Sequence, residues 1–124
     1  MSTSGATSSP LPGLLSDVLA GAPSNPAIAA HATMAHLTFG LKDTDTAEAG
    51  WIRVDEASVA GGNGSADTRF AFEATSATWR ELTEGMPINR LVRQGKMIIS
   101  GDARSCVQNW LLVFEIFATV RKVR

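Results

Sequence analysis

The sequence predicts a single α+β domain in which a small, mainly antiparallel sheet is covered by helices. Three observations carry this prediction. Apolar and polar residues alternate in short runs in the middle of the chain, apolar residues recur at helical spacing on either side of those runs, and the chain ends in a long apolar segment. A chain of 124 residues has the length of one domain.

The N-terminal part predicts a flexible segment followed by a short helix. Residues 1–12 are rich in Ser, Thr, Gly and Pro, so we expect them to stay outside a domain that spans residues 13–124. Leu14–Ala20 has apolar residues at helical spacing, and a glycine and a proline oppose its continuation. Residues 25–30 are ambiguous, because their alanines favour a further helical turn whereas the residues after them favour a strand.

Two strands are predicted next. In residues 33–41, Leu37, Phe39 and Leu41 fall on one side of an extended chain, which is the period of a half-buried strand. After a polar turn, Trp51–Asp55 alternates in the same way.

The glycine-rich segment Gly61–Ser65 is the strongest turn signal in the chain, because its glycines and asparagine tolerate positive φ. We therefore expect a hairpin there. The second strand would continue, bent, to Val59, and residues 66–73 would form the return strand, with Phe70 and Phe72 on one side.

The last third of the chain predicts two short helices. Ser76 or Thr75 caps the first of them, and Ala77, Trp79 and Leu82 are placed at spacings that share a helical face.

A second short helix and a strand follow. Pro87 suits the first turn of a helix over Ile88–Arg93, and a glycine ends it. Lys96–Ser100 is predicted to be a strand with Met97 and Ile99 on one face.

The final helix is predicted to run unbroken over residues 103–122, about 30 Å, with Asp102 as its N-cap. Its apolar residues occupy nearly every side, whereas a helix packed on one sheet needs only a stripe. The extra apolar side must face a ligand, another subunit or a membrane. Trp110–Ala118 is interrupted by Glu115 and is about half the roughly 20 residues needed to cross a bilayer, so we expect no stable membrane insertion.

Composition and charge narrow the functional classes. A formal net charge of -1 gives no electrostatic reason to expect a nucleic-acid partner. Cys106 is the only cysteine and cannot form an intramolecular disulfide, and the N-terminus has no basic stretch followed by an apolar signal core. We therefore expect a cytoplasmic protein.

No residue pattern predicts a catalytic, metal or cofactor site. His31 and His36 are the only histidines, and their spacing places them on opposite faces of a strand, without further ligands nearby. Cys106 has no local nucleophile signature, so we interpret it as a small buried apolar residue. Glu81 and Glu84 share a solvated helical face, and the glycine cluster lacks the lysine of a phosphate loop. We expect no metal and no cofactor.

With its elements in this order, the chain resembles the sterol carrier protein type two family. The last half of the chain carries the resemblance by its residues, and the first half carries it only by element order. The matching positions are Ala66-Asp67, Phe70, Phe72, Trp79, Leu82–Gly85 and Gly95–Asp102. The chain ends in Lys122-Val123-Arg124 rather than in the peroxisomal tripeptide of the family's familiar members, so peroxisomal sterol transfer is not implied.

The resemblance implies an internal hydrophobic cavity between the sheet and the helices, and a carrier of a lipid, sterol, acyl thioester or similar hydrophobic small molecule. A non-enzymatic role is favoured. The residues expected to bind the ligand are apolar and belong to the strands and helices just described: Phe70, Phe72, Trp79, Leu82, Met97, Ile99, Trp110, Phe114 and Phe117.

Two alternatives stay open. The apolar face of the final helix can instead pair with a second copy of the chain, as a homodimer, or with an enzyme of the same pathway. The other alternative is a small enzyme that acts on an apolar substrate in the same cavity, with Asp67, Glu73, Glu115 or His36 as its acid or base.

Overall fold

A computed structural model describes residues 9–22, 26, 28, 36–55, 58–64 and 68–123. Within these residues, the helices and strands follow the order that the sequence predicts, with one additional strand and one additional helix whose full bounds are described. The elements are α1 (Leu11–Gly21), β1 (His36–Asp43), β2 (Ala49–Asp55), β3 (Ser58–Asn63), β4 (Phe70–Ala74), α2 (Ser76–Thr83), α3 (Ile88–Arg93), β5 (Met97–Gly101), α4 (Ala103–Gln108) and α5 (Trp110–Val123).

The five strands form one mixed sheet in the order β3-β2-β1-β4-β5. Three of its pairings are antiparallel, and β1 pairs with β4 in parallel. The apolar side chains of one sheet face and of the helices form a single buried cluster, whereas the other face exposes His36, Arg53 and Ile98. The predicted α+β class and the mainly antiparallel sheet are therefore confirmed.

The predicted first helix is present and is longer than expected. Leu11, Leu14, Leu15 and Val18 lie on its buried face, so the predicted domain boundary at residue 13 falls inside α1. These residues recur every three or four positions, which gives the apolar stripe that a helix needs to pack on a sheet.

Part of the predicted first strand and of the ambiguous segment before it lies outside the described residues. Within residues 25–30 the structure describes Pro26 and Ile28, which are both helical. Leu37, Phe39 and Leu41 are buried on one side of β1, as their alternation predicts.

The predicted glycine hairpin is wrong. Gly61–Asn63 belong to the edge strand β3, which pairs with β2, whereas β4 pairs with β1 and β5. A Cβ at Gly61 would lie 2.9 Å from the carbonyl oxygen of Trp51, and one at Gly62 would lie 3.0 Å from the Trp51 ring. These glycines are needed for close packing, and among the described residues of the segment only Gly64 adopts positive φ.

The predicted N-terminus of α2 is confirmed, and one of its predicted buried residues is not. Thr75 is the N-cap, and its hydroxyl accepts a hydrogen bond from the amide of Thr78 at 3.3 Å. Trp79 and Leu82 are buried, but Ala77 is exposed, because the buried face of α2 follows a spacing of three and four residues from Trp79.

The predicted unbroken final helix is wrong. Asn109 separates α4 from α5, with φ -112° and ψ 18°. Its side-chain Nδ2 donates a hydrogen bond to the carbonyl oxygen of Ser105 at 2.8 Å and so competes with the helical backbone pattern. The predicted cap at Asp102 is confirmed, since its Oδ1 accepts a hydrogen bond from the Ser105 amide at 3.2 Å.

A buried carboxylate joins three parts of the fold. Asp43 is fully buried at the end of β1. Its Oδ2 accepts hydrogen bonds from the hydroxyls of Ser9 and Ser76, and its Oδ1 accepts them from the amides of Asp45 and Thr46. Burial opposes ionisation, but the hydrogen bonds outweigh it and hold the pKa of Asp43 below its ordinary value. Asp43 thereby links the starts of α1 and α2 to the turn between β1 and β2.

Replacing this carboxylate should weaken the fold in a pH-dependent way. Asp43→Asn should lower the free energy of unfolding at neutral pH by about 1 to 3 kcal/mol, because an amide nitrogen cannot accept the two hydroxyl hydrogen bonds. The folded-state pKa of Asp43 is lowered, so the carboxylate stabilises the fold above the ordinary aspartate pKa of about 3.9, and this stabilisation is lost as the pH falls through the folded-state pKa.

Urea unfolding of wild type and variant at neutral and acidic pH measures the effect. The gap between the two free energies should close on acidification. Glu48→Gln, an exposed change in the same turn, should leave stability nearly unchanged at both pH values. A gap of constant size across the pH range would contradict the proposed role of the charge.

Candidate functional site

An apolar cavity of about 10 Å³ lies between α2, the α2–α3 link, α3 and α5. No residue in its lining carries a charged or hydroxyl side chain. The lining residues are Leu82, Met86, Pro87, Ile88, Phe114, Phe117 and Ala118. Its volume is close to that of one water-sized sphere, so this space does not by itself confirm a cavity of ligand size.

Local structure explains how these side chains meet. Leu82 lies on the buried face of α2, one turn after Trp79. Pro87 is the N-cap of α3, with an extended ψ of 139°, and Ile88, the first residue of the helix, is buried. Phe114 and Phe117 are three residues apart on α5 and therefore share a face.

An aromatic cluster adjoins the cavity. The Phe117 ring lies 5.6 Å from the Phe72 ring in an edge-to-face arrangement and 6.4 Å from Trp79. Phe72 continues the cluster to Phe70 at 5.8 Å and to Trp110 at 6.4 Å. Ring separations of this size are favourable for aromatic pairs.

The structure places the nine predicted ligand-binding residues in the core or at its margin. Leu82, Phe114 and Phe117 line the cavity together. Buried residues are Phe70, Phe72, Trp79, Leu82, Met97 and Phe117, and half-buried residues are Ile99, Trp110 and Phe114.

Four cavity residues were missed from the sequence: Met86, Pro87, Ile88 and Ala118. Three of them lie in or beside the link between α2 and α3, where the sequence pattern predicts only the start of a helix. An apolar Met-Pro-Ile run between two helices is unusual for a solvated link, and that run was the available signal.

The candidate acid and base residues do not gather at this cavity. His36 is exposed on the uncovered sheet face and lies 2.6 Å from Asp55, its partner on the neighbouring strand. Glu73 is half-buried on β4, at a position that alternates with the buried Phe72, and Glu115 is half-buried on α5. Asp67 lies outside the described residues.

Other candidate chemistry is also limited in the described part of the chain. There, no three His, Cys, Asp or Glu side chains come together in a way that could hold a metal ion. Glu81 forms an ion pair with Lys96 at 3.3 Å, and Glu84 is exposed, in keeping with a solvated face. Within the same residues, no helix combines the length and apolar character needed to span a bilayer.

Cys106 is a buried apolar residue, as the sequence predicts. Its side chain is 0% exposed, and burial raises the pKa of its thiol to about 11. Because the thiolate is the reactive form, this environment is opposite to that of a catalytic cysteine.

Comparison with known proteins gives a likeness of structure without one of sequence. No family model matches the sequence, and no curated protein matches it significantly. The crystal structure of sterol carrier protein 2 superposes with a TM-score of 0.71 at 17% identity, over 90% of this chain and 96% of that chain. A solution structure from Thermus thermophilus, of a conserved hypothetical protein described as a possible sterol carrier protein, gives 0.68 at 17% identity over 90% and 86%.

A third solved structure, the UbiJ-SCP2 ubiquinone synthesis protein, gives a TM-score of 0.60 at 14% identity over 90% of this chain and 93% of that chain. At such identities a likeness shows the fold. The chain therefore has the sterol carrier protein 2 fold, which confirms the fold that the sequence resemblance predicts.

The buried thiol should be nearly inert in the folded protein. With a pKa of about 11, about one thiol in a thousand is ionised at about pH 8, against roughly a quarter for a free cysteine. We expect Cys106 to react with an aromatic disulfide reagent at least about 100-fold more slowly than a free thiol, and at the ordinary rate in denaturant.

A matched control moves the thiol by one position. In the variant Cys106→Ala with Val107→Cys, the new thiol replaces an exposed side chain and should react at the free-thiol rate. Rapid reaction of Cys106 in the folded wild type would contradict the burial of its side chain.

Proposed function

We propose that this protein binds and carries a hydrophobic small molecule, such as a lipid, sterol or acyl thioester, in the apolar cavity between α2, α3 and α5. The observation that supports this most is the lining of that cavity, which is apolar throughout, in a chain with the sterol carrier protein 2 fold. The proposal retains the cytoplasmic location expected from the sequence.

The affinity would come from apolar burial rather than from polar contacts. Removing apolar surface from water contributes on the order of 25 cal/mol per Å², so a ligand that buries about 300 Å² gains about 7 kcal/mol before the costs of association. Because the lining residues offer no charged or hydroxyl side chain to fix an orientation, we expect broad selectivity among apolar ligands.

The cavity must widen before it can hold such a ligand. Its volume is about 10 Å³, whereas small-molecule sites are typically about 300 to 1,000 Å³. The walls that can move are the Met86-Pro87 link, which has an adaptable thioether side chain, and Phe114, which is half-buried. We propose that a ligand first separates these residues and then contacts Leu82 and Phe117.

The remaining predicted residues form the deeper part of the proposed site. As the cavity widens, the ligand would meet aromatic side chains that already contact Phe117, such as Phe72 and Trp79. The proposed ligand contacts are unchanged: Phe70, Phe72, Trp79, Leu82, Met97, Ile99, Trp110, Phe114 and Phe117.

Native mass spectrometry of the purified protein, beside a denatured and solvent-extracted sample, tests the carrier function directly. A co-purified apolar molecule would support the proposal and identify its chemical class. The proposal would be overturned if the ligand-free protein bound none of three added ligands, namely a fatty acid, a sterol and an acyl thioester.

The position of the site is tested by a charge placed in the cavity wall. Phe114→Asp should weaken binding of a fluorescent fatty acid by at least about tenfold, because a buried carboxylate beside an acyl chain carries a desolvation cost. Phe114→Leu keeps an apolar side chain and should retain most of the affinity. Circular dichroism checks that both variants fold.

A control on the same helix separates a local effect from a general effect of charge. Leu111→Asp changes an exposed side chain, 64% accessible, one turn before Phe114, and should leave fatty-acid affinity unchanged. Equal affinity of wild type and Phe114→Asp would place the ligand elsewhere.

A further inference from the structure

An exposed stripe runs along α4 and the start of α5. It consists of Arg104, Val107, Gln108 and Leu111, and we call it the α4–α5 stripe. Val107 is 70% exposed and Leu111 is 64% exposed, whereas the other side of these helices buries Cys106 and Leu112. Spacings of three and four residues place Arg104, Val107 and Gln108 on one side of α4. Across the break at Asn109, Val107, Gln108 and Leu111 line one open surface depression.

The stripe adjoins the proposed ligand site. Phe114 follows Leu111 by three residues on α5 and lines the cavity. The exposed apolar surface therefore continues from Val107 through Leu111 to the cavity wall. Whatever covers the stripe lies next to the residues that would have to separate for a ligand to enter.

Positive charge is concentrated in the same part of the chain. Residues 88–124 contain seven Lys and Arg and two Asp and Glu, whereas residues 1–87 contain four Lys and Arg and ten Asp and Glu. Arg104 lies on the stripe itself, and Arg90 and Arg93 are exposed on α3, which contributes the opposite wall of the cavity. The formal net charge of -1 for the whole chain does not reveal this uneven distribution of charge.

We propose that the α4–α5 stripe docks on the surface of an anionic lipid bilayer. Val107 and Leu111 enter the boundary between headgroups and acyl chains, and Arg104 lies among the lipid phosphates. Arg90 and Arg93 add attraction across a Debye length of about 8 to 10 Å. Docking in this way is peripheral and needs no membrane-spanning segment.

A second copy of the chain fits the stripe less well. A symmetric pairing brings the same patch of both copies together, so two basic surfaces would face each other. Two aliphatic side chains also fall far short of the roughly 800 Å² per partner that a stable dimer buries. An anionic lipid surface instead matches both the apolar and the charged members of the stripe.

Docking is independent of ligand binding, although a role in delivering ligand to membranes rests on the proposed function. The two are therefore measured separately. Co-sedimentation of the full chain with vesicles of equal parts phosphatidylglycerol and phosphatidylcholine gives docking, and fatty-acid titration without vesicles gives ligand binding. Docking without fatty-acid uptake would support the stripe and contradict the proposed function, whereas fatty-acid uptake without docking would contradict only the stripe.

The double variant Val107→Ser with Leu111→Ser should lower vesicle partitioning by at least about tenfold. Ile98→Ser is the matched control, because Ile98 is 62% exposed on the uncovered face of the sheet, and it should leave partitioning unchanged. Both changes are at exposed positions, so both variants should fold.

Charge is tested in the same way. Arg104→Gln should lower partitioning about fivefold, which corresponds to the roughly 1 kcal/mol that a basic residue contributes near an anionic surface. Arg53→Gln, on the uncovered face of the sheet, should have no such effect. Partitioning should also fall steeply as salt rises towards about 1 M, where the Debye length is about 3 Å.

Three results would overturn the proposal. The first is equal partitioning of wild type and the double serine variant. The second is binding that does not differ between the anionic vesicles and vesicles of phosphatidylcholine alone. The third is a lipid-free dimer, seen by sedimentation velocity, that the double serine variant dissociates and Ile98→Ser does not, since this would assign the stripe to an interface between copies.

Discussion

The packing of Phe117 against the sheet is the contact on which the covered face and the cavity both depend. Its ring lies 5.6 Å from Phe72 and 6.0 Å from Phe39, which come from neighbouring strands, and 6.4 Å from Trp79 on α2. The same side chain lines the cavity. A displacement of α5 that enlarges the cavity therefore also loosens aromatic pairs worth about 0.5 to 1.5 kcal/mol each. The proposed ligand uptake would therefore be energetically coupled to core packing.

Glycines on β2 and β3, at the other end of the sheet, allow α1 to pack closely against these two strands. A Cβ at Gly50 would lie 2.5 Å from the Cδ1 of Leu15, and one at Gly61 would lie 3.6 Å from the Cδ2 of Leu19. The helix therefore lies directly on the backbone of β2 and β3. Since α1 covers these strands and also contacts α5, α5 can lie over β1 and β4, where Phe39 and Phe72 meet Phe117.

Whether a sequence prediction is confirmed depends on the kind of pattern on which it rests. Alternation in β1 and the cap at Asp102 are local patterns with one structural solution, and both are confirmed. The glycine segment has two solutions, because glycine serves equally for positive φ and for close packing, and a single sequence does not distinguish them. The contacts of Gly61 and Gly62 with Trp51 are visible only once the strands are paired.

The sequence predicts only part of the candidate site, because local patterns do not show which distant segments meet in the folded chain. Phe114 and Phe117 could be selected because helical periodicity places them on one face. Met86 and Ile88 could not be placed opposite them, because nothing in the sequence specifies that the α2–α3 link folds back against α5. The break at Asn109 was hidden by the apolar residues on both sides of it, which continue a helical pattern across the interruption.

The apolar residues of the C-terminal segment fall into two groups on both sides of that break. Inner residues such as Ile116 and Phe117 complete the core, whereas Val107 and Leu111 are 70% and 64% exposed and leave most of their apolar surface in water. Burial of an aliphatic side chain is worth about 1.5 to 3 kcal/mol when it is complete, and entry into a lipid boundary buries only part of it. An arginine near an anionic surface adds about 1 kcal/mol. Neither contribution alone gives stable attachment. The stripe should therefore bind an anionic bilayer, which offers both an apolar interior and negative charge, more tightly than a surface that offers only one of the two.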